Sequence, residues 1–204
     1  MARTPARERL LRAAAELFYE NGMTATGIDA VTARAGVARM SLYNNFASKD
    51  ALVLAYLAER HEEWLALYRE RLATARGPRE GVLAVVDAYL DHAHLPQAAG
   101  SPYRGCGLLN AAAELGPQDP GREAVRTHKE EVEAILCGHL AEDLAPARAA
   151  EVAEHIAFLL EGATTRAGLE GDSARLRRAR TLIAAILDNE LGPTDAARAE
   201  SARA

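Results

Sequence analysis

The chain has few of the residues that disulfide-linked, zinc-stabilised or β-rich proteins need. Its only two cysteines, Cys106 and Cys137, are far apart and lack C-x-x-C spacing. We therefore expect neither a disulfide framework nor structural zinc. Aromatic residues make up only 5% of the sequence. Because aromatic side chains are among those that strands favour, their scarcity argues against a β-rich fold.

Long apolar runs are also missing. No run approaches the ~18 apolar residues that are needed to span a bilayer. The first ten residues, MARTPARERL, contain no apolar stretch of the kind found in a signal peptide. These two absences predict a cytoplasmic protein with no membrane partner.

Enzymatic and metal-binding patterns are not found either. The sequence shows no nucleophile–base pairing, no phosphate-binding loop and no set of metal ligands. Of the six histidines, His92 and His94 are closest in sequence, but two histidines on a helix bind one metal more readily at i, i+4. We expect neither an enzyme nor a bound metal or cofactor.

What the sequence does contain indicates an all-α fold. Alanine-rich amphipathic segments dominate, with 49% hydrophobic and 26% charged residues. The formal net charge is −5, yet residues 1–60 carry eight Lys/Arg against six Asp/Glu, a local net of +2 that leaves −7 for the remainder. A mildly basic segment in an acidic chain is compatible with an anionic partner.

Apolar periodicity and helix-ending residues divide the chain into segments. Three short helices are predicted in residues 1–48, with Thr4, Thr26 and Ser48 as N-caps of the first, second and fourth helices. A long fourth helix then runs to Gly77. A predicted loop covers 96–106, and further helices cover about 122–144, 147–168 and 173–190. The predicted domains are residues 1–48, residues 49–191 and a polar tail at 192–204 that we expect to be frayed.

The segment from Gly36 to Leu52 predicts a DNA-reading surface. Two short helices joined by a turn glycine match a helix-turn-helix, in which the second helix enters the major groove. The outward residues suit that role. The guanidinium of Arg39 can bind guanine or phosphate, and the amides of Asn44 and Asn45 can bind adenine or phosphate. The hydroxyls of Ser41 and Tyr43 can bind phosphate, and the thioether of Met40 can contact the thymine methyl group. Thr26 and Lys49 lie at the N-termini of flanking helices, which attract phosphate.

Residues 7–53 resemble the tetracycline-repressor (TetR) family of bacterial transcriptional regulators. The resemblance is carried by A-x-x-L-F-x-x-x-G at 14–22, by the threonine, valine and A-G-V of 26–37, and by L-Y-x-x-F-x-x-K-x-x-L at 42–52. It implies a DNA-binding head followed by a divergent helical domain for dimerisation and effector binding.

The resemblance also implies roles for individual positions. Thr26, Tyr43 and Lys49 match the phosphate-contacting threonine, tyrosine and lysine of the family. The residues that begin the recognition helix are matched by Arg39, Met40 and Ser41. With Gly27, Asn44 and Asn45, these complete the predicted DNA-binding set. Two positions depart from the family pattern: Met40 stands where a small residue is common, and Asn45 stands where an aromatic residue or histidine is usual.

The last two predicted helices carry apolar stripes that would be exposed in a monomer, which favours a two-fold four-helix bundle. A hairpin packed within one chain is the alternative. The predicted interface residues are Val152, Ile156, Leu159, Gly162, Ala163, Leu176, Ala179, Ile183 and Ile186.

The segment between Trp64 and Leu144 is the candidate effector region, with apolar stripes that suit a hydrophobic or aromatic ligand. The candidate lining residues are Trp64, Tyr68, Tyr89, Tyr103, Cys106, Asn110, Glu114 and His128. Cys106 lies two residues after Arg104, a setting that can lower a thiol pKa. It is therefore either an oxidant- or electrophile-sensing residue or a small buried hydrophobe.

Together these patterns predict a transcriptional regulator, a repressor released from a palindromic operator by a small molecule. The alternative is an architectural or partner-binding DNA-binding protein without an effector, which a fully packed C-terminal interior would favour.

Overall fold

The computed structural model describes residues 4–95 and 102–192. Within those ranges the chain forms nine α-helices and no strand, which confirms the all-α prediction. The helices are α1 (Ala6–Asn21), α2 (Ile28–Ala35), α3 (Arg39–Asn45), α4 (Lys49–Leu72), α5 (Pro78–His94), α6 (Gly107–Glu114), α7 (Pro120–Leu140), α8 (Pro146–Glu170) and α9 (Ala174–Leu191). The predicted tail from 193 onwards and residues 96–101 of the predicted loop lie outside the described residues.

The helix N-termini follow the predicted capping chemistry only in part. Ser48 caps α4, because its hydroxyl accepts a hydrogen bond from the N–H of Ala51 at 3.0 Å. Thr4 does not cap α1, whose N-cap is Pro5 without a side-chain bond. Thr26 does not cap α2 either, because the N-cap is Gly27 and the Thr26 hydroxyl points inward.

Two long helices begin and end differently from the sequence prediction. α4 ends at Leu72, before Gly77, and a short turn separates the two. α7 covers Pro120–Leu140 instead of 122–144 because Asp119 accepts a hydrogen bond from the N–H of Gly121 at 2.7 Å and so starts the helix earlier.

Two clusters of buried apolar residues hold the helices together. The N-terminal core contains the apolar faces of α1, α2 and α3, and it also takes Leu52 and Tyr56 from α4, Leu108 from α6 and Val125 from α7. The C-terminal core is built from α4, α5, α7, α8 and α9. α4 contributes to both cores, so it joins the two parts of the chain directly. None of the helices in the described residues is both long and apolar enough to cross a membrane.

Candidate functional site

The second helix of the helix-turn-helix, α3, is held from beneath by two apolar side chains. Leu42 is fully buried and Phe46, the residue that ends the helix, is 5% exposed. The turn before α3 contains Gly36 in the left-handed conformation, with φ 62°. Glycine adopts this conformation without steric cost, which permits the tight turn between α2 and α3. These anchors leave the opposite face of α3 free.

That free face carries most of the predicted base-reading residues. Met40 is 68% exposed and Tyr43 is 40% exposed, and Arg39 and Asn44 are exposed beside them. A single exposed methionine is common on a protein surface, so the informative feature is its position among side chains that can bind bases and phosphates. Arg39 forms an exposed ion pair with Asp29 of α2 at 3.1 Å, and such a pair is easily exchanged for a phosphate or a base.

The side chain of Asn45 is engaged within the protein and not directed outward. Asn45 donates a hydrogen bond from Nδ2 to the carbonyl of Ser41 at 2.7 Å, and both residues are half-buried. The Asn45 amide is therefore used along its own helix. The structure places Arg39, Met40, Tyr43 and Asn44 on the outer face.

Thr26 does not present its hydroxyl to phosphate as predicted. The hydroxyl is buried and donates to the carbonyl of Gly22 at 2.7 Å, with the carbonyl of Leu17 at 3.3 Å. Because the exposed Gly27 has no side chain to cap α2, the first N–H groups of this helix receive no side-chain cap from the described residues. Lys49 is half-buried at the first position of α4. Both helix starts can therefore attract phosphate oxygens.

The candidate effector region contains an aromatic cluster at the centre of the C-terminal core. Trp64 stacks on Tyr68 with ring centroids 5.7 Å apart. Tyr89 and His128 approach the Trp64 ring edge-on, each at 5.5 Å. Four of the eight predicted lining residues are thus in direct contact, in a mostly apolar surrounding.

Polar groups are buried beside this cluster. The Trp64 Nε1 hydrogen has no acceptor within the described part of the chain. Nδ1 of His128 lies 2.9 Å from Nδ1 of His61, so one ring donates and the other accepts. Burial, together with the nearby Lys129, lowers the pKa of His128 to about 3. Lys129 itself donates to the Tyr89 hydroxyl at 3.3 Å.

The other four predicted lining residues take no part in these ring contacts, although Tyr103 and Cys106 are close enough to Tyr89 to interact with it electrostatically. Tyr103 is half-buried and packs on the C-terminal core, whereas Cys106 packs on the N-terminal core. Asn110 is exposed and donates to the carbonyl of Arg104 at 2.9 Å. Cys106 and Asn110 line a cleft of about 300 Å³ between α6 and α8. Helical periodicity could not predict which core each of these residues contacts, because it carries no information on contacts between distant segments.

Glu114, which the sequence grouped with the effector region, contacts the helix-turn-helix instead. Its two carboxylate oxygens accept hydrogen bonds from the N–H groups of Met23 at 3.1 Å and Thr24 at 2.7 Å. Partial desolvation raises the pKa of this carboxyl, but the bonds from Thr24 and Met23 outweigh it and hold the pKa below its usual value. Glu114 therefore links α6 to the turn between α1 and α2.

A second link joins the same parts of the molecule. The Tyr19 hydroxyl of α1 accepts a hydrogen bond from the Arg104 N–H at 2.6 Å and donates to the Gly105 carbonyl at 3.3 Å. On its other side, Gly105 packs against Gly168 of α8, where an added Cβ would lie 2.6 Å from the Gly105 nitrogen. Residues 104–105 thus lie between the helix-turn-helix and α8. Tyr19 could not be predicted from the sequence, since nothing near it indicates a partner 85 residues away.

The nine predicted interface residues of α8 and α9 do not all lie on the same side of the two helices. Five of its members lie in the core of the single chain and are at most 3% exposed: Val152, Ile156, Leu176, Ala179 and Ile183. Four of these, all except Ala179, belong to the buried C-terminal core, so the intramolecular hairpin accounts for them. Leu159, Gly162, Ala163 and Ile186 are exposed or half-buried.

An apolar groove runs along the outer side of the α8–α9 pair. Its volume is about 270 Å³, and it is lined by Leu159, Gly162, Ala163, Ala179 and Leu182, with arginines at its rim. Phe158 also lines it and is 64% exposed. Phe158 and Leu182 are not among the predicted interface residues, although each lies one position from one of them, Leu159 and Ile183.

Comparisons with known proteins identify relatives of both parts of the chain. Residues 10–56 match the family model of bacterial regulatory proteins of the tetR family, and residues 78–183 match that of the tetracyclin repressor-like C-terminal domain. The structure is similar to that of SCO4454, a TetR-family transcriptional regulator from Streptomyces coelicolor, with 29% identity and a TM-score of 0.81 over 92% of this chain and 96% of the other.

Two curated relatives are similar in sequence. The regulator BetI of Burkholderia mallei is 27% identical over 92% of this chain and 94% of its own length. The activator FasR of Mycolicibacterium smegmatis is 36% identical over 91 residues, which are 45% of this chain and 42% of that protein.

Proposed function

The chain belongs to the TetR family of DNA-binding transcriptional regulators, and from that premise we propose that it is a dimeric cytoplasmic repressor. In this proposal two copies bind a palindromic operator, and a small hydrophobic or aromatic effector releases them. The domains are residues 1–48 for DNA binding and residues 49–191 for effector binding and dimerisation. The observation that carries the proposal is the outer face of α3, where a largely exposed methionine stands among residues that can bind bases and phosphates.

The proposal divides DNA contacts between two groups of residues. Tyr43, Lys49 and the N–H groups at the start of α2 bind backbone phosphates and fix the position of the head. Arg39, Met40 and Asn44 lie along the exposed face of α3 and reach the base edges.

This division is tested by two substitutions on the same helix. Tyr43→Ala is expected to weaken binding to all duplexes by about three- to tenfold, because a phosphate contact carries no sequence information. Met40→Gly is expected to change the preferred sequence, because an apolar contact to a thymine methyl is lost. The measurement is selection of bound duplexes from random DNA with each variant. Identical consensus sequences for wild type and Met40→Gly would refute the assignment.

A dimer provides the second reading head. The two α3 helices must reach successive major grooves, roughly 34 Å or a multiple of it apart. The groove beside Phe158 supports a two-fold contact, since Gly162 and Ala163 permit close approach and Phe158 can enter the partner's groove.

Effector binding is assigned to the aromatic cluster around Trp64. The four side chains of this cluster are at most 7% exposed and contact one another, so a ligand must displace one of them to stack on the others. An acceptor atom of that ligand would then satisfy the unpaired Trp64 Nε1 hydrogen. The two links described above, Glu114 to the α1–α2 turn and residues 104–105 to Tyr19, connect the region after α5 to the head. An effector that favours one arrangement of these links changes DNA affinity, and the coupling is reciprocal.

Glu114→Gln tests the first link. One amide oxygen replaces two carboxylate oxygens, so the N–H of Met23 or Thr24 loses its acceptor. Amide hydrogen exchange at these two residues is expected to become about tenfold faster, while exchange in the α1 core is unchanged. Glu130→Gln, an exposed glutamate of α7 that pairs with Arg126, serves as the matched control. Unchanged exchange at both Met23 and Thr24 would show that the link does not order this turn.

The release step is tested with the single tryptophan of the chain, Trp64. Hydrophobic and aromatic compounds are screened for a change in its fluorescence, and those that bind are added to the protein–operator complex at fixed salt. The proposal expects saturating compound to lower operator affinity, by about 5- to 150-fold for a typical coupling. Saturable quenching with unchanged operator affinity would favour a DNA-binding protein without effector control.

A further inference from the structure

Arg9 of α1 holds the turn from which the DNA-reading helix begins. One nitrogen of its guanidinium, Nη1, donates to the carbonyls of Ala35 at 3.0 Å and Gly36 at 3.1 Å. These carbonyls end α2, where unpaired carbonyl oxygens carry partial negative charge. The Arg9 guanidinium thereby fixes the end of α2 onto α1.

The bonding of Arg9 is directed to backbone and not to a carboxylate. Among the described residues, ion pairs occupy Arg12 and Arg34 of the same head, but none includes Arg9. Its Nε is buried and has no hydrogen-bond partner in that part of the chain. Burying a guanidinium nitrogen without an acceptor destabilises the folded state. The two hydrogen bonds from Arg9 to the carbonyls offset this loss and keep the side chain in place.

A second arginine of α1 contacts the opposite end of the reading helix. The Arg7 guanidinium lies over the ring of Phe46, 5.3 Å from its centroid, in a cation–π contact. Phe46 ends α3, and its own N–H is bonded to the carbonyl of Leu42 at 2.8 Å. Arg9 thus holds the chain just before α3, and Arg7 holds it just after.

The short length of α3 explains why it needs such support. The helix has seven residues, and Leu42 is the only buried one among them. With fewer than two turns, the helix is anchored only by Leu42 and by Phe46 at its C-cap. Contacts that fix the two ends of the helix therefore contribute to setting its rotation about its axis. A small rotation would move Met40 and Asn44 away from base edges, while phosphate contacts elsewhere on the head would persist.

We infer that Arg9 and Arg7 are positioning residues for sequence-specific DNA recognition, which set the pose of α3 without contacting DNA. The inference rests on the proposed function, since it requires an operator. Affinity for random DNA depends on phosphate contacts, whereas affinity for the operator also requires the correct orientation of α3. The two affinities should therefore respond differently to loss of Arg9.

The test measures the ratio of affinities for two duplexes of equal length. One is the sequence enriched from random DNA by the wild-type protein, and the other is its scrambled version. For Arg9→Gln this ratio is expected to fall at least about tenfold, as for loss of a base contact. Affinity for the scrambled duplex should change by less than about threefold, and the dependence of log K on log salt should keep its slope. Arg12→Gln removes the same charge one turn later on α1, where Arg12 pairs with Glu8 and with no other carboxylate of the described residues, and it should leave the ratio unchanged.

Two results would overturn the inference. One is an Arg9→Gln protein that retains the wild-type ratio. The other is an equal loss on both duplexes with a salt slope smaller by about one, which would identify Arg9 as a phosphate contact. If thermal unfolding shows that Arg9→Gln does not fold, Arg7→Gln applies the same test at the other end of α3. Failure to enrich any sequence would contradict the proposed function instead, because the protein would then have no operator on which α3 could be positioned.

Discussion

Phe158→Glu is expected to convert the proposed dimer to monomers. Phe158 is 64% exposed in the single chain and lies beside the apolar groove of α8 and α9. Burying one phenylalanine contributes about 1.5–3 kcal/mol, and two-fold symmetry uses the contact twice. Loss of both contacts therefore raises the dimer dissociation constant by at least about 100-fold. The added carboxylate would be buried without a designated partner, which adds to the loss.

The measurement is the oligomeric state by analytical ultracentrifugation, combined with affinity for the enriched duplex. Operator affinity is expected to fall because a monomer reaches only one half-site. Leu169→Glu is the matched control: Leu169 is 78% exposed on the same helix but lines the cleft near Cys106 instead. A Phe158→Glu protein that stays dimeric at micromolar concentration would remove this groove as the interface.

Acid is expected to destabilise the wild-type protein through His128. This side chain is 4% exposed, and burial lowers its pKa to about 3. An unfolded histidine has a pKa of about 6.5, so below that pH the unfolded state takes up a proton that the folded state refuses. The sign is therefore a loss of stability as pH falls from about 6.5. Between pH 7 and pH 5 the contribution amounts to about 2 kcal/mol.

His128→Gln isolates this effect. Glutamine has no titratable group, and its amide can still pair with Nδ1 of His61. The free energy of unfolding of the variant, measured by denaturant titration, should decrease about 2 kcal/mol less between pH 7 and pH 5 than that of wild type. His155→Gln removes an exposed histidine of α8 and should keep the wild-type dependence on pH. Parallel curves for wild type and His128→Gln would show that His128 takes up its proton over the same pH range in the folded and unfolded states.

Local patterns were sufficient to predict the reading helix. Gly36, the i, i+4 pair Leu42 and Phe46, and the Ser48 cap act within a few residues, and the structure contains each in its predicted role. The cap of α2 shows the limit of such reasoning. Thr26 has the right residue type for an N-cap, but the carbonyls of Leu17 and Gly22 offered its hydroxyl buried partners, so Gly27 begins the helix.

Contacts between distant segments could not be predicted in the same way. Glu114 and Thr24 are 90 residues apart, and nothing in the sequence near either residue indicates the other. The stripes on α8 and α9 show a different limit. Helical periodicity identifies an apolar face but not what covers it, so Ile156, buried in its own chain, was grouped with residues of the outer groove, whereas Phe158 was overlooked. The exposure of each side chain in the structure distinguishes the buried Ile156 from the exposed Phe158.

The central claim is that α3 reads DNA as one of a symmetric pair. Selection of bound sequences from random DNA by the full-length protein, at a stated salt concentration, tests it most directly. The account predicts a palindromic consensus whose half-site centres are one helical turn, about 10 base pairs, or a multiple of it apart. The absence of any enriched sequence would contradict it.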